Sequence, residues 1–194
     1  RIQSIRYGPY RVWTAYDAPY PEAVKTPVLQ ICTACCLFFT ARTALVAHRR
    51  QCAAHRDGRL PGVRVFEDNE VALECVSGEQ TLGLCTCLSL MTRLFLESKE
   101  LCYSVRDFDF YILLRKPRCR CGAAAVAAPH ALCADPHCAI DRSLGCIFVL
   151  PPFQGRGYAQ LLIEYSYKRM QALGRHGRPE EPLSAAGAAA FHAY

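Results

Sequence analysis

Several things are missing from this sequence, and each absence narrows the reading. No apolar run approaches the roughly 20 residues needed to span a bilayer as a helix. No secretory signal is visible at the start. The chain begins at Arg1 rather than Met, so it is expected to be an excised piece, with any targeting signal outside it. No internal repeat recurs, which speaks against a solenoid. There is no Gly-x-Gly-x-x-Gly with a downstream acid, so no dinucleotide fold is indicated, and no Gly-Lys-Ser or Gly-Lys-Thr, so no P-loop. Charge is modest at 21% against 52% hydrophobic residues, a globular balance rather than a disordered one.

Cysteine is plentiful instead. There are 13, an odd number spread unevenly. That argues against a disulfide scaffold and for metal ligation, buried thiols and one reactive thiol, in a reducing, intracellular compartment. The formal net charge of +6 allows an acidic partner without demanding one.

The coarse pattern is α+β. Residues 1–31 alternate aromatic and polar types between prolines and read as short strands with a loop. Residues 32–52 form a distinct small unit, and residues 53–62 look like a polar linker. Val63 to Phe66 and Val71 to Cys75 suggest paired strands around Glu67-Asp68-Asn69. From Leu82 to Glu97 the residues Leu84, Leu88, Met91, Leu94 and Phe95 share one helical face. Phe108 to Leu114 is a strand candidate. Residues 115–143 carry no clear signal. An apolar strand at 146–150 then breaks into a glycine loop, followed by a helix from Gly157 to about Ala172. A "GRHGRPEEP" loop and an alanine-rich last helix complete the chain.

The unit at 32–52 has metal-ligand spacing. Cys32-x2-Cys35 makes a knuckle in which both thiolates point at one ion. Thr43 to Arg50 is a plausible helix presenting His48, with Cys52 just past its end. Four such ligands with no open position make a structural zinc site. Phe38 and Leu45 would fill the small core between the halves. Cys36 is an extra thiol that could confuse the register, and Cys35 is preferred. Arg42, Arg49, Arg50, Arg56 and Arg59 give this finger a basic face, which suggests a weak nucleic-acid contact, secondary to a structural or docking role. A second cluster, Cys119, Cys121, His130, Cys133, His137 and Cys138, could hold another metal, but its spacing matches no ligand pattern that can be defended, and an ordinary loop is the favoured reading.

"CIFVLPPFQGRGYAQLLIEYSY", residues 146–167, carries the other constellation. Gln154-Gly155-Arg156-Gly157-Tyr158-Ala159 is Gln-x-x-Gly-x-Ala after an apolar strand. Small residues let the backbone approach a ligand closely. The first-turn N–H groups of the following helix are unsatisfied and lie at its positive end. Together these bind a phosphate or pyrophosphate, and Arg156 adds charge.

Gln-x-x-Gly-x-Ala in this setting resembles the coenzyme A pyrophosphate loop of the Gcn5-related acetyltransferase superfamily. Taken with "RPEEPLSAAG", "YGPYRVWTAYDAPYPEAV", "ARTALVAHRRQC" and "RLFLESKELCYSVRDFDFY", in that family's order, the chain resembles the MYST family of histone acetyltransferases over nearly its whole length.

The resemblance implies an acetyltransferase fold: a mixed central sheet with flanking helices and an N-terminal Cys-Cys-His-Cys zinc finger. It divides the chain into residues 1–62, strands plus finger, and residues 63–194, an acetyl-CoA-binding core. It places Ile147, Phe148 and Val149 along the pantetheine arm, and Gln154, Gly155, Arg156, Gly157, Tyr158, Ala159 and Gln160 in the pyrophosphate loop, with Ser184 as a further cofactor contact. Cys146 matches the family's active-site cysteine, Glu180 its general base and Lys99 its autoacetylated lysine. Apart from the family, Glu180 is a loop carboxylate, Cys146 a buried thiol and Lys99 a surface lysine.

The chain departs from the family at Gly155, where arginine is usual, and at Ala159, where glycine is usual. It also stops at Tyr194, where the family continues, so a C-terminally incomplete domain is expected. The function implied is acetyl transfer from acetyl-CoA to a lysine ε-amine, on histone tails or the nucleosome, in the nucleus, alongside subunits of a chromatin-modifying complex and away from any membrane. The alternative is a MYST-like chromatin scaffold that has lost turnover.

Overall fold

The computed structural model describes residues 1–96, 105–116, 130–132, 142–179, 181 and 183–194. Lys99, Glu180 and all of the second Cys/His cluster except His130, of which the backbone alone is described, lie outside those residues.

The N-terminal segment folds into a four-stranded sheet built from β1 (Ser4–Tyr7), β2 (Tyr10–Trp13), β3 (Val28–Ile31) and β4 (Phe38–Phe39), in the order β2-β1-β3-β4. β1 pairs antiparallel with β2 and parallel with β3. The alternation seen in the sequence sorts its side chains. Ile5, Tyr7, Leu29 and Ile31 are buried on the inner face, while Arg6 and Arg11 project outward. Helix α1 (Arg42–Gln51) follows, and it buries only Leu45.

The expected linker is more ordered than its composition suggests. Residues 53–57 form a short helix, α2 (Ala53–Asp57), and Leu60 is buried. The Leu60 N–H donates to the fully buried Glu74 carboxylate at 2.6 Å. Polar composition did not reveal this, because the ordering comes from a partner fourteen residues away. Gly62 is required next to it: a β-carbon there would sit 2.3 Å from the Cys75 carbonyl oxygen.

A second sheet, β5-β6-β7-β8, joins β5 (Val63–Glu67), β6 (Val71–Ser77), β7 (Asp109–Arg115) and β8 (His130–Leu132), all antiparallel. β6 and β7 are apolar nearly throughout because both faces are covered. Val76, Phe110 and Ile112 face one core, with Leu88, Met91 and Leu94 of the α3 segment (α3, Leu82–Arg93). Leu73, Tyr111 and Leu113 face the other, with Leu162 and Ile163 of α4 (Tyr158–Ala172). The first core also takes in Ile5, Leu29 and Ile31 of the N-terminal sheet, so the two sheets share one interior. Each such buried side chain contributes about 1.5–3 kcal/mol.

A short parallel pair, β9 (Arg142–Leu144) with β10 (Arg178–Pro179), brings the segment after α4 back across the molecule, and α5 (Ala185–His192) ends the chain. β10 lies inside the stretch that reads as a loop. Its two residues are too few to show periodicity. The α3 helix ends at Arg93 with a turn through Leu94 and Phe95, short of the expected Glu97, which lies outside the described residues.

The apolar run at 146–150 differs from expectation. Cys146 makes a single β-bridge, and Ile147 to Leu150 have no ladder partner among the described residues. Two prolines follow at once, neither able to donate a ladder hydrogen bond, and the chain turns through the 3-10 segment Pro151–Phe153. All eight cysteines among the described residues are free. No described helix is long and apolar enough to cross a membrane.

Candidate functional site

Cys32, Cys35, His48 and Cys52 converge, their ligand atoms all within 4.8 Å of one another. Ligands 2.3 Å from a tetrahedral zinc lie about 3.8 Å apart, so the donor set fits that ion. The knuckle is shaped by its own backbone: Cys32 N–H donates to the Leu37 carbonyl, and Cys36 N–H to Cys32, both at 2.9 Å. α1 then presents His48, whose ring packs on Phe39 with centroids 4.8 Å apart and whose Nε2 lies 3.2 Å from Cys35 Sγ. The Cys35 thiol donates to Cys32, which pulls the Cys32 thiol down and pushes Cys35 up. Sulfurs this crowded carry negative charge together only when a cation neutralises it. Cys36 stays outside the group, buried behind the knuckle at φ 59°. The Tyr7 hydroxyl donates to the Thr33 carbonyl at 3.1 Å and ties the knuckle to the sheet.

A cleft of about 1070 Å³ opens on the other side of the first core, where α4 and α5 meet the unpaired segment. Its volume is at the upper end of the range for small-molecule sites. Cys146, Ile147, Phe148 and Val149 line one wall. Gln154, Gly155, Gly157, Tyr158, Ala159 and Gln160 form its floor, and Ser184 faces them from the start of α5.

The geometry at the loop is that of an anion cradle. Gly155 and Gly157 have φ 70° and 78°, left-handed values that glycine adopts without strain. Gly157 caps α4, and the first α-helical bond is Leu161 N–H to its carbonyl at 3.0 Å. The N–H groups of Tyr158, Ala159 and Gln160 therefore have no intrahelical acceptor. No acidic side chain sits in that first turn to compete for the dipole. Gln154 braces the loop by donating from Nε2 to the Val149 carbonyl at 2.9 Å.

Arg156 is placed differently from its loop neighbours. It does not line the cleft. Its guanidinium donates to the Pro152 carbonyl at 3.2 Å and lies 5.7 Å from the centre of the Phe153 ring.

Ile147 and Phe148 have no backbone hydrogen bond among the described residues, so their peptide groups can pair with a ligand as a strand would. α5 approaches as a wall of Ala185, Ala186, Gly187 and Ala190, small enough to bring its backbone close. Ser184 caps that helix, its hydroxyl accepting from Gly187 N–H at 3.1 Å.

Two contributors were not evident in the sequence. Phe95 stacks on Phe148 at 5.2 Å and closes the apolar end. Phe153 anchors the loop under Tyr7 and Tyr10, with ring centroids at 6.1 and 5.4 Å. The turn of two prolines before an aromatic was the only local sign of the second. The first depends on long-range packing.

The MOZ/SAS family model matches residues 59–194, and the model of the MYST family zinc finger domain matches residues 1–52. The chain is 32% identical over 194 residues to the histone acetyltransferase mst2 of Schizosaccharomyces pombe, covering all of this chain and 46% of that protein. It is 31% identical over 191 residues to the histone acetyltransferase KAT6A of Homo sapiens, covering 98% of this chain and 9% of that protein. To the histone acetyltransferase esa-1 of Neurospora crassa it is 28% identical, covering all of this chain and 37% of that protein. The chain thus spans less than half the length of each of these relatives.

Proposed function

Because the chain belongs to the MOZ/SAS family, carrying that family's zinc finger at its N-terminal end, we propose that it transfers acetyl from acetyl-CoA to a lysine ε-amine of histone tails, in the nucleus. The observation that carries the reading is the cleft itself. It gathers the unpaired peptide groups of Ile147 and Phe148, the glycine cradle at the start of α4 and capped Ser184 around one volume. Peptide groups at 147–149 suit an amide-bearing pantetheine arm, and the cradle suits a pyrophosphate.

When bound, acetyl-CoA supplies an activated thioester. The chain must supply the rest. A lysine ammonium has a pKa of about 10.4 and is no nucleophile at neutral pH, so a base must take its proton. Glu180 is assigned that role, and Pro179, its neighbour in sequence, lines the cleft. The Ile147 N–H is assigned to the developing oxyanion. The amine attacks the thioester directly, or Cys146, 4% exposed in the same wall, is assigned to take the acetyl group first on a two-step route. Lys99 is assigned as the autoacetylated lysine. The zinc held by Cys32, Cys35, His48 and Cys52 is structural, since all four ligands come from protein. Residues 1–62 then serve as the finger-bearing part and 63–194 as the cofactor-binding part, with a nucleosome and subunits of a chromatin-modifying complex as partners.

The test is acetylation of a histone-tail peptide by the purified, zinc-loaded chain, beside Glu180→Gln, with CoA affinity measured in parallel. Activity lost in Glu180→Gln with CoA still bound supports the assignment. CoA binding without turnover by the parent points to the scaffold reading. A folded, zinc-loaded chain that binds no CoA overturns the reading of the cleft.

A further inference from the structure

We propose that the outer face of the N-terminal sheet binds single-stranded nucleic acid, with a phosphate held between Arg6 and Arg11 and a base stacked at Trp13. This reading is independent of the acetyl-transfer cleft.

Arg6 and Arg11 are direct cross-strand partners in the β1–β2 ladder, so both guanidinium groups project from the same face. Like charges placed opposite one another in this way destabilise a sheet unless an anion lies between them. No carboxylate among the described residues pairs with either one. Arg11 is held in place by other means. Its Nε donates to the buried Ser4 hydroxyl at 3.2 Å, and its guanidinium lies 4.6 Å from the centre of the Trp13 ring. The Arg6 guanidinium has no hydrogen-bond partner among the described residues. Trp13 itself is 64% exposed, so its ring face is open to a ligand.

The surroundings extend the same chemistry. The row across the sheet runs Arg11, Arg6, Gln30, Phe39, and Phe39 meets His48 of α1. α1 carries Arg42, Arg49 and Arg50 and no acid. By contrast Arg56 and Arg59, beyond it, already face Asp57 and Glu74. The first 52 residues hold seven of the chain's Arg and Lys residues and only Asp17 and Glu22 among acids, so they carry most of the net +6. Asp17 is itself paired with Arg1 at 3.0 Å.

A positive groove with an exposed aromatic is the arrangement that tracks a sugar-phosphate backbone and stacks its bases. A duplex hides its base faces, so the indole would gain nothing from one. An acidic peptide would satisfy the arginines and leave Trp13 uncovered.

Trp13 is the chain's single tryptophan, so its emission reports the site directly. The experiment titrates the zinc-loaded chain with short oligothymidylate, oligouridylate, a duplex and polyglutamate at several salt concentrations. Single strands should quench the emission and bind more tightly than the duplex, and the two strand types tell DNA from RNA preference. Arg6→Gln with Arg11→Gln should flatten the log–log salt dependence by about 0.7, the contribution of the one phosphate the pair holds. Trp13→Phe should weaken binding by about fivefold or more, as expected for a lost stacking contact. Unchanged affinity in the double variant, equal quenching by polyglutamate, or absence of quenching would each overturn the proposal.

Discussion

Gln154 donates from Nε2 to the Val149 carbonyl at 2.9 Å and so closes the turn between the unpaired wall of the cleft and the glycine loop. The bond takes up one carbonyl of the wall and fixes where the loop begins. It is part-buried, and its net worth is about 1 kcal/mol. Gln154→Ala should therefore leave the melting temperature nearly unchanged and weaken CoA binding by about fivefold, measured by calorimetry. An unchanged affinity would mean the loop needs no brace.

Gly157 and Gly174 share a left-handed backbone, at φ 78° and 69°, and both have open space where a β-carbon would go. Only Gly157 lines the cleft. Alanine at either position should cost about 1–2 kcal/mol of stability through backbone strain alone. Thermal unfolding of the two variants should match. CoA affinity should fall in Gly157→Ala and hold in Gly174→Ala. A parallel fall in both would detach the cradle from the ligand.

Local features were legible in the sequence, and those set by distant partners were not. Zinc-ligand spacing is local, and the four residues it selects are the four that converge. The α3 helix follows directly from apolar periodicity, and β6 from a short apolar run. The cleft wall at 147–150 was misread as a strand, because apolar composition reports burial and not pairing. Residues 53–62 looked like a free linker because Glu74, their anchor, lies in another strand. The turn of Arg156 toward Phe153 was hidden for the same reason: the ring that attracts it is itself placed by Tyr7 and Tyr10.

Glu74 is fully buried, and its oxygens are taken by Arg64 Nη2 at 2.8 Å and Leu60 N–H at 2.6 Å, with Arg59 at 3.9 Å. Removing one partner of a buried pair leaves the other unsatisfied. Glu74→Ala should destabilise the chain by about 3 kcal/mol, since Arg64 keeps Glu67 at 3.1 Å as a second partner. Urea unfolding measures this. A loss below about 1 kcal/mol would show that the segment before β5 is not anchored through this carboxylate.

Asp109 sits at the start of β7, half-buried, and burial pushes its carboxyl above the ordinary 3.8 while Arg169, 3.9 Å away, pulls it back. A carboxyl raised in the folded state favours folding when protonated. That contribution is complete below 3.8 and is lost as pH rises through the folded value. At neutral pH the charge is a burden. Asp109→Asn should be more stable than the parent at pH 7, and the difference should shrink as pH falls below the ordinary carboxylate range. Unfolding midpoints measured across that range check the sign. An advantage for the parent at neutral pH would mean that the Arg169 pair outweighs the burial.

Zinc removal should act on folding before it acts on chemistry. The four ligands hold a knuckle and a helix that bury little else, since α1 contributes only Leu45 to the core. Structural zinc in such small units contributes about 10–16 kcal/mol of apparent binding energy, and that energy is folding energy. A chelator should therefore melt the N-terminal sheet cooperatively, with loss of the protected amides of β1 and β3 in hydrogen exchange. Cys35→Ser should lose the metal and reproduce the same loss. Cys36 tests the register, because it adjoins Cys35 yet lies outside the converging group. Cys36→Ala should keep one zinc per chain by metal analysis and lower stability only by the side chain it removes from the interior. Retention of zinc in Cys35→Ser together with its loss in Cys36→Ala would move the ligand by one residue and turn the knuckle inside out.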